Sequence, residues 1–323
     1  MTSTPESRGT MRGAAGGGGG GPAADPNARS TPVWRHATGE LWLDRPRILG
    51  IVNVTPDSFS DGGRLVTVDD ARRHVDRLIA EGADAIDVGG ESTRPQGALP
   101  VDAEEEQRRV VPVVQAVRRD HAAIPISVDT TKAAVAYASL EAGASIVNDV
   151  SAFRLDGEGA MGRVCAAAGA GVVLMHSRGD VATMATYAHA TYGDDPVGEV
   201  IAELRAAVGS ALRAGVGGDR IVLDPGIGFA KRSSVSISVL SELSRLVDLG
   251  YPVAIGASRK RVIGEITGVA TPVERVAGTV GANVAALERG AILFRVHDVK
   301  PSREALDVAW AIMRGRARSD APW

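Results

Sequence analysis

From Trp34 onward, short apolar runs rich in valine and isoleucine recur along the chain. They occupy residues 47–54 (RILGIVNV), 84–90 (DAIDVGG), 124–130 (IPISVDT), 144–150 (ASIVNDV), 171–176 (GVVLMH), 220–226 (RIVLDPG), 251–258 (YPVAIGAS) and 291–298 (AILFRVHD). The hydrophobic positions are continuous rather than alternating, which is the pattern of strands covered on both faces in a parallel sheet. The intervals carry helical periodicity. Residues 67–82 open with Thr67 and Asp70 in capping-box spacing, place Ala71, Val75, Leu78 and Ile79 on one face, and stop at Gly82. Residues 103–119 turn Val110, Val113, Val114 and Val117 inward, with Pro112 as a kink. Their charged residues, with Glu104 opposite Arg108 and Glu105 opposite Arg109, read as surface dressing. Residues 196–215 repeat the scheme with Val200, Leu204, Ala207 and Ala211.

Strand and helix thus alternate in the manner of a (β/α)8 TIM barrel, with a doubly wound open sheet as the alternative. Right-handed crossovers place every strand's C-terminal end on one face. Polar residues collect at those ends: Asn53, the turn of residues 89–94, Asp129, Asn148 with Asp149, His176, Asp224, Ser258 to Lys260, and Arg295, His297 and Asp298. This distribution favours the barrel, whose functional groups sit at that face. The stretch GIVNVTPDSFSDGG (50–63) shows it most plainly, a buried strand running into a loop of small polar groups that core packing does not explain.

Composition narrows the partners. The chain has 323 residues, 44% of them hydrophobic, and a net charge of -3 with scattered basic residues. It therefore carries neither the electrostatic footprint of a nucleic-acid binder nor a polybasic membrane anchor. No apolar run approaches the roughly 20 residues that span a bilayer, and no secretory signal is recognisable. The lone Cys165 lies in a run of small residues and reads as a buried small hydrophobe, in keeping with a cytoplasmic protein. Residues 1–33, with six consecutive glycines and almost no large apolar groups, read as a disordered Gly/Pro-rich tail ahead of a single barrel domain over 34–323.

The motifs at the strand ends carry a resemblance. GIVNVTPDSFSDGG, GADAIDVGGESTRP (82–95), SVDTTK (127–132), VNDVSA (147–152), VVLMHSRG (172–179), LDPGIGF (223–229), GASRK (256–260) and RVHDV (295–299) occur in this order, and over residues 47–312 the chain resembles the bacterial dihydropteroate synthases. The resemblance implies an enzyme of folate biosynthesis that joins 6-hydroxymethyl-7,8-dihydropterin diphosphate to p-aminobenzoate, releasing pyrophosphate with the help of Mg2+. By the same match Asp129, Asn148, Asp224 and Lys260 hold the pterin, and Asn53, Thr93, Arg94, Arg295 and His297 hold the diphosphate. Asn53 is also the matched Mg2+ ligand, Asp61 would stabilise a carbocation, and Phe59, Thr93, Pro95 and Ser258 would form the p-aminobenzoate pocket. Asp61, Lys260, Arg295 and His297 are then the catalytic set. A homodimer is likewise implied.

The residue chemistry is compatible with that picture. A pterin edge presents an amino group, a ring N–H and a carbonyl, so a buried site needs carboxylate or amide acceptors beside a donor. A polar plug closing the barrel mouth is the bland reading of the same residues. Three functional readings remain: a working synthase, a pterin-binding methyltransferase, and a non-catalytic relative. Arg94, Arg295 and His297 argue against the methyltransferase, which has no use for diphosphate groups. The chain departs from the family pattern at Gln96 and after Phe229, where Lys231 is expected to line the pterin cleft. The connection from Arg178 to Pro196 reads as a solvated flap, with metal binding by its acidic and His residues the lesser alternative.

Overall fold

Strand parity decides where each side chain of the apolar runs goes, because residues two apart share a face. The structure, a computed structural model, describes residues 1–2, 32–55, 67–92, 100–156 and 159–315. An N-terminal hairpin pairs β1 (Val33–His36) with β2 (Gly39–Trp42). The barrel follows as β3 (Arg47–Asn53), β4 (Ala85–Gly89), β5 (Ile126–Asp129), β6 (Ile146–Asp149), β7 (Gly171–Met175), β8 (Ile221–Asp224), β9 (Ala254–Ile255) and β10 (Leu293–Val296). These strands form one parallel sheet in the order β8-β7-β6-β5-β4-β3-β10-β9. A bridge between Leu223 and Val253 joins the two ends of that order, so the sheet closes on itself. The expected barrel, rather than the open sheet, is the fold.

The helices between strands follow the sequence pattern closely. Helix α1 (Val68–Ala80) has Thr67 as N-cap, with both halves of the capping box formed between Thr67 and Asp70, and its chain leaves through Gly82 at φ +100°. Helices α2 (Ala103–Asp120), α3 (Ala133–Glu141), α4 (Ala160–Ala168) and α5 (Pro196–Arg213) follow in turn. Asp195 caps α5 by accepting a hydrogen bond from Gly198 N at 2.9 Å, with Pro196 in the first turn. Helices α6 (Ser233–Ser241), α7 (Ser244–Val247), α8 (Arg261–Thr267), α9 (Val276–Glu288) and α10 (Val299–Arg314) complete the ring. No described helix is long and apolar enough to cross a membrane.

Seven of the eight apolar runs divide between two cores, the exception being 124–130, whose inward residue is Ser127. Outward residues such as Ile48, Val52, Ile86, Val88, Val128, Val172 and Phe294 pack against helices. Inward residues Leu49, Ala85, Ile146, Val173, Val222, Ala254 and Leu293 form a separate cluster with Trp34, Leu41 and Leu43 of the hairpin region. The hairpin, which the strand pattern did not suggest, is therefore the floor of the barrel. Trp34 is wholly buried there and its indole N–H donates to Arg220 O at 2.8 Å. Two residues further along the same inward faces stand Asp87, Asn148, Met175, Asp224, Gly256 and Arg295, and Asp129 stands two beyond the inward Ser127. The barrel interior is thus apolar at its floor and polar at its mouth.

Several expectations are corrected. The run 251–258 contributes only the two-residue β9, because Pro252 has no N–H for the ladder and the chain leaves the sheet at Gly256. The α2 charges are not all surface dressing. Glu106 is fully buried, and Lys132 Nζ lies 2.6 Å from its Oε2 and 3.0 Å from Glu91 Oε1. Arg108 pairs with Glu105 and not with Glu104. The connection after Arg178 is anchored rather than solvated, since Met184 and Ala185 are buried against Val150, Met175 and Phe229. No described group of three His, Cys, Asp or Glu residues could hold a metal there or elsewhere.

Truncating the floor should cost stability without touching the mouth. Trp34→Ala is expected to lower the unfolding free energy by roughly 3–5 kcal/mol, the usual cost of a large core deletion. Urea unfolding monitored by circular dichroism measures it, and a loss below about 1 kcal/mol would contradict the floor assignment.

Candidate active site

A closed cluster of charges occupies the mouth. Arg295 on β10 reaches across the barrel, donating from Nε to Asp87 Oδ2 and from Nη2 to Asp129 Oδ2, each at 2.5 Å. Asn148 Nδ2 donates to the same Asp87 oxygen at 3.2 Å. The sequence reading left Asp87 out, although its parity with Ala85 on a strand ending at the mouth was available as a signal. Arg295 does not pair with Asp298, which instead accepts a two-pronged contact from Arg259 at 2.9 and 2.6 Å. Burial raises the Asp129 carboxyl to about 7, opposed by the Arg295 guanidinium.

On the other side stand Asp224 and Lys260. Asp224 Oδ1 accepts from Gly226 N at 2.7 Å, and burial raises its carboxyl above the ordinary range while Lys260 pulls the other way. Lys260 Nζ donates to Ile227 O and lies 4.3 Å from the centre of the Phe229 ring. Burial lowers its ammonium to about 8, with Asp224 resisting. Gly256 marks the middle of the group. A Cβ built on it would lie 3.6 Å from Asp224 Oδ2, 3.9 Å from Arg295 Cβ and 4.0 Å from Lys260 Nζ. The bare α-carbon leaves the floor of the mouth flat.

Asn53 ends β3 in register with Gly89. A Cβ on Gly89 would sit 3.8 Å from both Asn53 Oδ1 and Asp129 Oδ2, so these oxygens flank the same piece of backbone. His297 and Ser258 are joined twice: His297 N donates to Ser258 Oγ at 3.1 Å, and Ser258 Oγ lies 3.0 Å from the His297 Nδ1. Asn53, Asp129, Asn148, Asp224, Ser258, Lys260, Arg295 and His297 therefore all stand at or just beyond the mouth ends of their strands. Phe59, Asp61, Thr93, Arg94 and Pro95 lie outside the described residues.

Two turns hold these groups through unusual backbone. Arg259 has φ +60°, and its N–H donates to Thr279 Oγ1 at 3.0 Å while its carbonyl accepts from Arg275 Nη1 at 3.0 Å. With the Asp298 pair, these contacts clamp the residue between Ser258 and Lys260. The second turn, residues 225–230, has Gly226 at φ +67° with no room for a Cβ, which would fall 1.9 Å from His176 O. Lys231 braces it from beneath and does not line the cleft. Its Nζ, fully buried, contacts Gly226 O at 3.1 Å, Phe229 O at 3.0 Å and His176 Nδ1 at 2.7 Å. Burial pushes this amine well below its ordinary range. His176, lowered to about 4 by burial, faces Lys231 and Glu203.

With this geometry in view, comparison with known proteins places the chain. A family model described as pterin binding enzyme matches residues 49–297, and the chain belongs to that family. The dihydropteroate synthase of Neisseria meningitidis serogroup B is 44% identical over 281 residues, covering 85% of this chain and 96% of the relative. A structure of Xanthomonas albilineans dihydropteroate synthase with 4-aminobenzoic acid aligns at 47% identity and TM-score 0.81, covering 88% of this chain and 99% of that one. Another from the same organism, in complex with 7,8-dihydropteroate, aligns at 44% identity and TM-score 0.77, covering 87% and 99%. Within the pterin-binding enzymes, the chain is thus of the dihydropteroate synthase type.

Gly226→Ala is expected to destabilise the fold by about 3 kcal/mol or more, combining left-handed strain with a backbone collision. Thermal unfolding tests this, and a change below about 1 kcal/mol would show that the turn relaxes freely.

Proposed function

We propose that the mouth joins 6-hydroxymethyl-7,8-dihydropterin diphosphate to p-aminobenzoate, giving 7,8-dihydropteroate and pyrophosphate. The observation that carries this reading is the pairing of Asp224 and Lys260 over Gly256 at one side of the mouth, with Arg295, Asp129 and Asn148 gathered around Asp87 at the other. Carboxylates and amides serve the pterin N–H groups, and Lys260 serves its carbonyl side. Two buried carboxylates held only by each other's cations would be costly, whereas a ligand bearing donors offsets that cost. The pterin-binding methyltransferase reading has no use for cations set beside the pterin groups.

In the reaction the C–O bond to the diphosphate breaks and its electron pair leaves with pyrophosphate. The resulting pterin methylene cation is captured by the neutral aromatic amine, which then gives its extra proton to solvent. An SN1-like course requires that water be kept from the cation. Arg295 neutralises the departing anion and His297 offers it a ring N–H. Asn53 is the residue that would hold Mg2+, since the donors flanking Gly89 are all oxygens and this ion takes one or two protein oxygens together with phosphate and water. When bound, Mg2+ would supply further charge neutralisation on the diphosphate.

Pyrophosphate release should require pterin diphosphate and p-aminobenzoate together with Mg2+; a folded protein that releases none under any condition contradicts the reading. Asp224→Ala should abolish pterin binding, measured by calorimetry. Because Lys260 must be protonated to donate, kcat/KM for the pterin diphosphate should fall as pH rises through about 8. A Lys260→Met variant that keeps this limb would assign it to another group.

A further inference from the structure

We propose that Asp87 is a positioning residue for this reaction: it holds Arg295 by the Nε edge of the guanidinium, while Asp129, the other carboxylate on that guanidinium, is the partner given up to the pterin. The inference rests on the mouth being a pterin diphosphate site. The two carboxylates are unequal in depth. Asp87 is in register with Ser127, and Asp129 with Gly89, so Asp87 stands one inward position below Asp129. The Asp87 side chain has no exposure, whereas that of Asp129 is 16% exposed and that of Arg295 24%. A ligand at the mouth therefore meets Asp129 and Arg295 but not Asp87.

Their bonding is unequal too. Asp87 Oδ2 takes two donors from within the barrel, Arg295 Nε and Asn148 Nδ2, which fix its orientation. Its Oδ1 is buried without a partner among the described residues, so the burial of this carboxylate is offset through Oδ2, by the Arg295 guanidinium and the Asn148 amide. Asp129 meets the same guanidinium through Nη2 alone. When pterin donors take Asp129, Nη2 is released beside the departing anion. Arg295 then keeps one fixed edge and gains one free edge, which is the geometry a planar fork needs to clamp a phosphate oxygen.

The charged groups facing Asp129 are Arg295, Asp87, Glu106, Asp149 and Lys260. Of the acids among them, Asp87 shares its guanidinium, and its negative charge holds Asp129 up. Neutralising Asp87 should thus move the acid limb of pterin binding to lower pH. A purely structural role for Asp87 would lower affinity without moving that limb.

The experiment is calorimetric titration of inorganic pyrophosphate and of 6-hydroxymethylpterin, in magnesium buffer across pH, into wild type, Asp87→Asn and Asp129→Asn. Asp87→Asn should lose pyrophosphate affinity by about tenfold, as expected for a mispositioned charge-assisted contact, and should shift the acid limb of pterin binding downward. Asp129→Asn should lose the pterin yet keep pyrophosphate affinity within about threefold, because Asp87 still holds Arg295. This second variant decides the matter even if Asp87→Asn does not fold. Unchanged pyrophosphate binding in Asp87→Asn, an unmoved acid limb, or equal loss of pyrophosphate in Asp129→Asn would each overturn the proposal. Wild type binding neither probe would instead overturn the pterin diphosphate reading, and this proposal with it.

Discussion

Burying charge is what this barrel must manage, and the bridge from Asp87 through Arg295 to Asp129 is how it does so. Isolated ions in a low-dielectric interior are costly by several kcal/mol each, and only close, well-oriented partners make them tolerable. One guanidinium serving two carboxylates leaves an unbalanced negative charge, which Lys260, beside Asp224, sits close enough to moderate. The same scarcity of water that makes these ions costly makes each of them effective on a bound substrate.

Placing such groups within reach of one another demands backbone that regular elements do not supply. Arg259, Ala152, Phe153 and Ala230 all adopt positive φ without being glycine. Each is overdetermined by its surroundings. Asp149 accepts from Ser151 N at 2.7 Å and Phe153 N at 3.0 Å, holding the turn after β6. Ala230 N donates to Met184 O at 2.6 Å, tying the turn braced by Lys231 to the long connection above it. Strain of this kind persists where neighbouring contacts outweigh it, and at Arg259 it lies directly between two mouth residues, Ser258 and Lys260.

Much of this was legible in the residues. Continuous valine and isoleucine runs announced strands with two covered faces, and the capping box at Thr67 and the stop at Gly82 marked one helix nearly to the residue. Parity along each strand was equally visible, and following it consistently would have set Asp87 beside Asp129. What could not be read were contacts between residues far apart in the chain. That Arg259 rather than Arg295 takes Asp298, that Lys231 turns inward to His176, and that Glu106 on a charged helix is buried against Lys132 all depend on packing between distant elements. The hairpin was missed because its strands are only four residues long and each carries one inward apolar anchor, Trp34 and Leu41, too few to show a period.

That anchor gives the molecule an optical label of its own. Trp34 is sealed in an apolar floor, Trp42 is 53% exposed, and Trp310 lies with the Arg314 guanidinium 4.4 Å from its ring centre. No tryptophan among the described residues stands at the mouth. Blue-shifted emission therefore reports the closed end of the barrel, so solvent entry at the floor and chemistry at the mouth send separable optical signals.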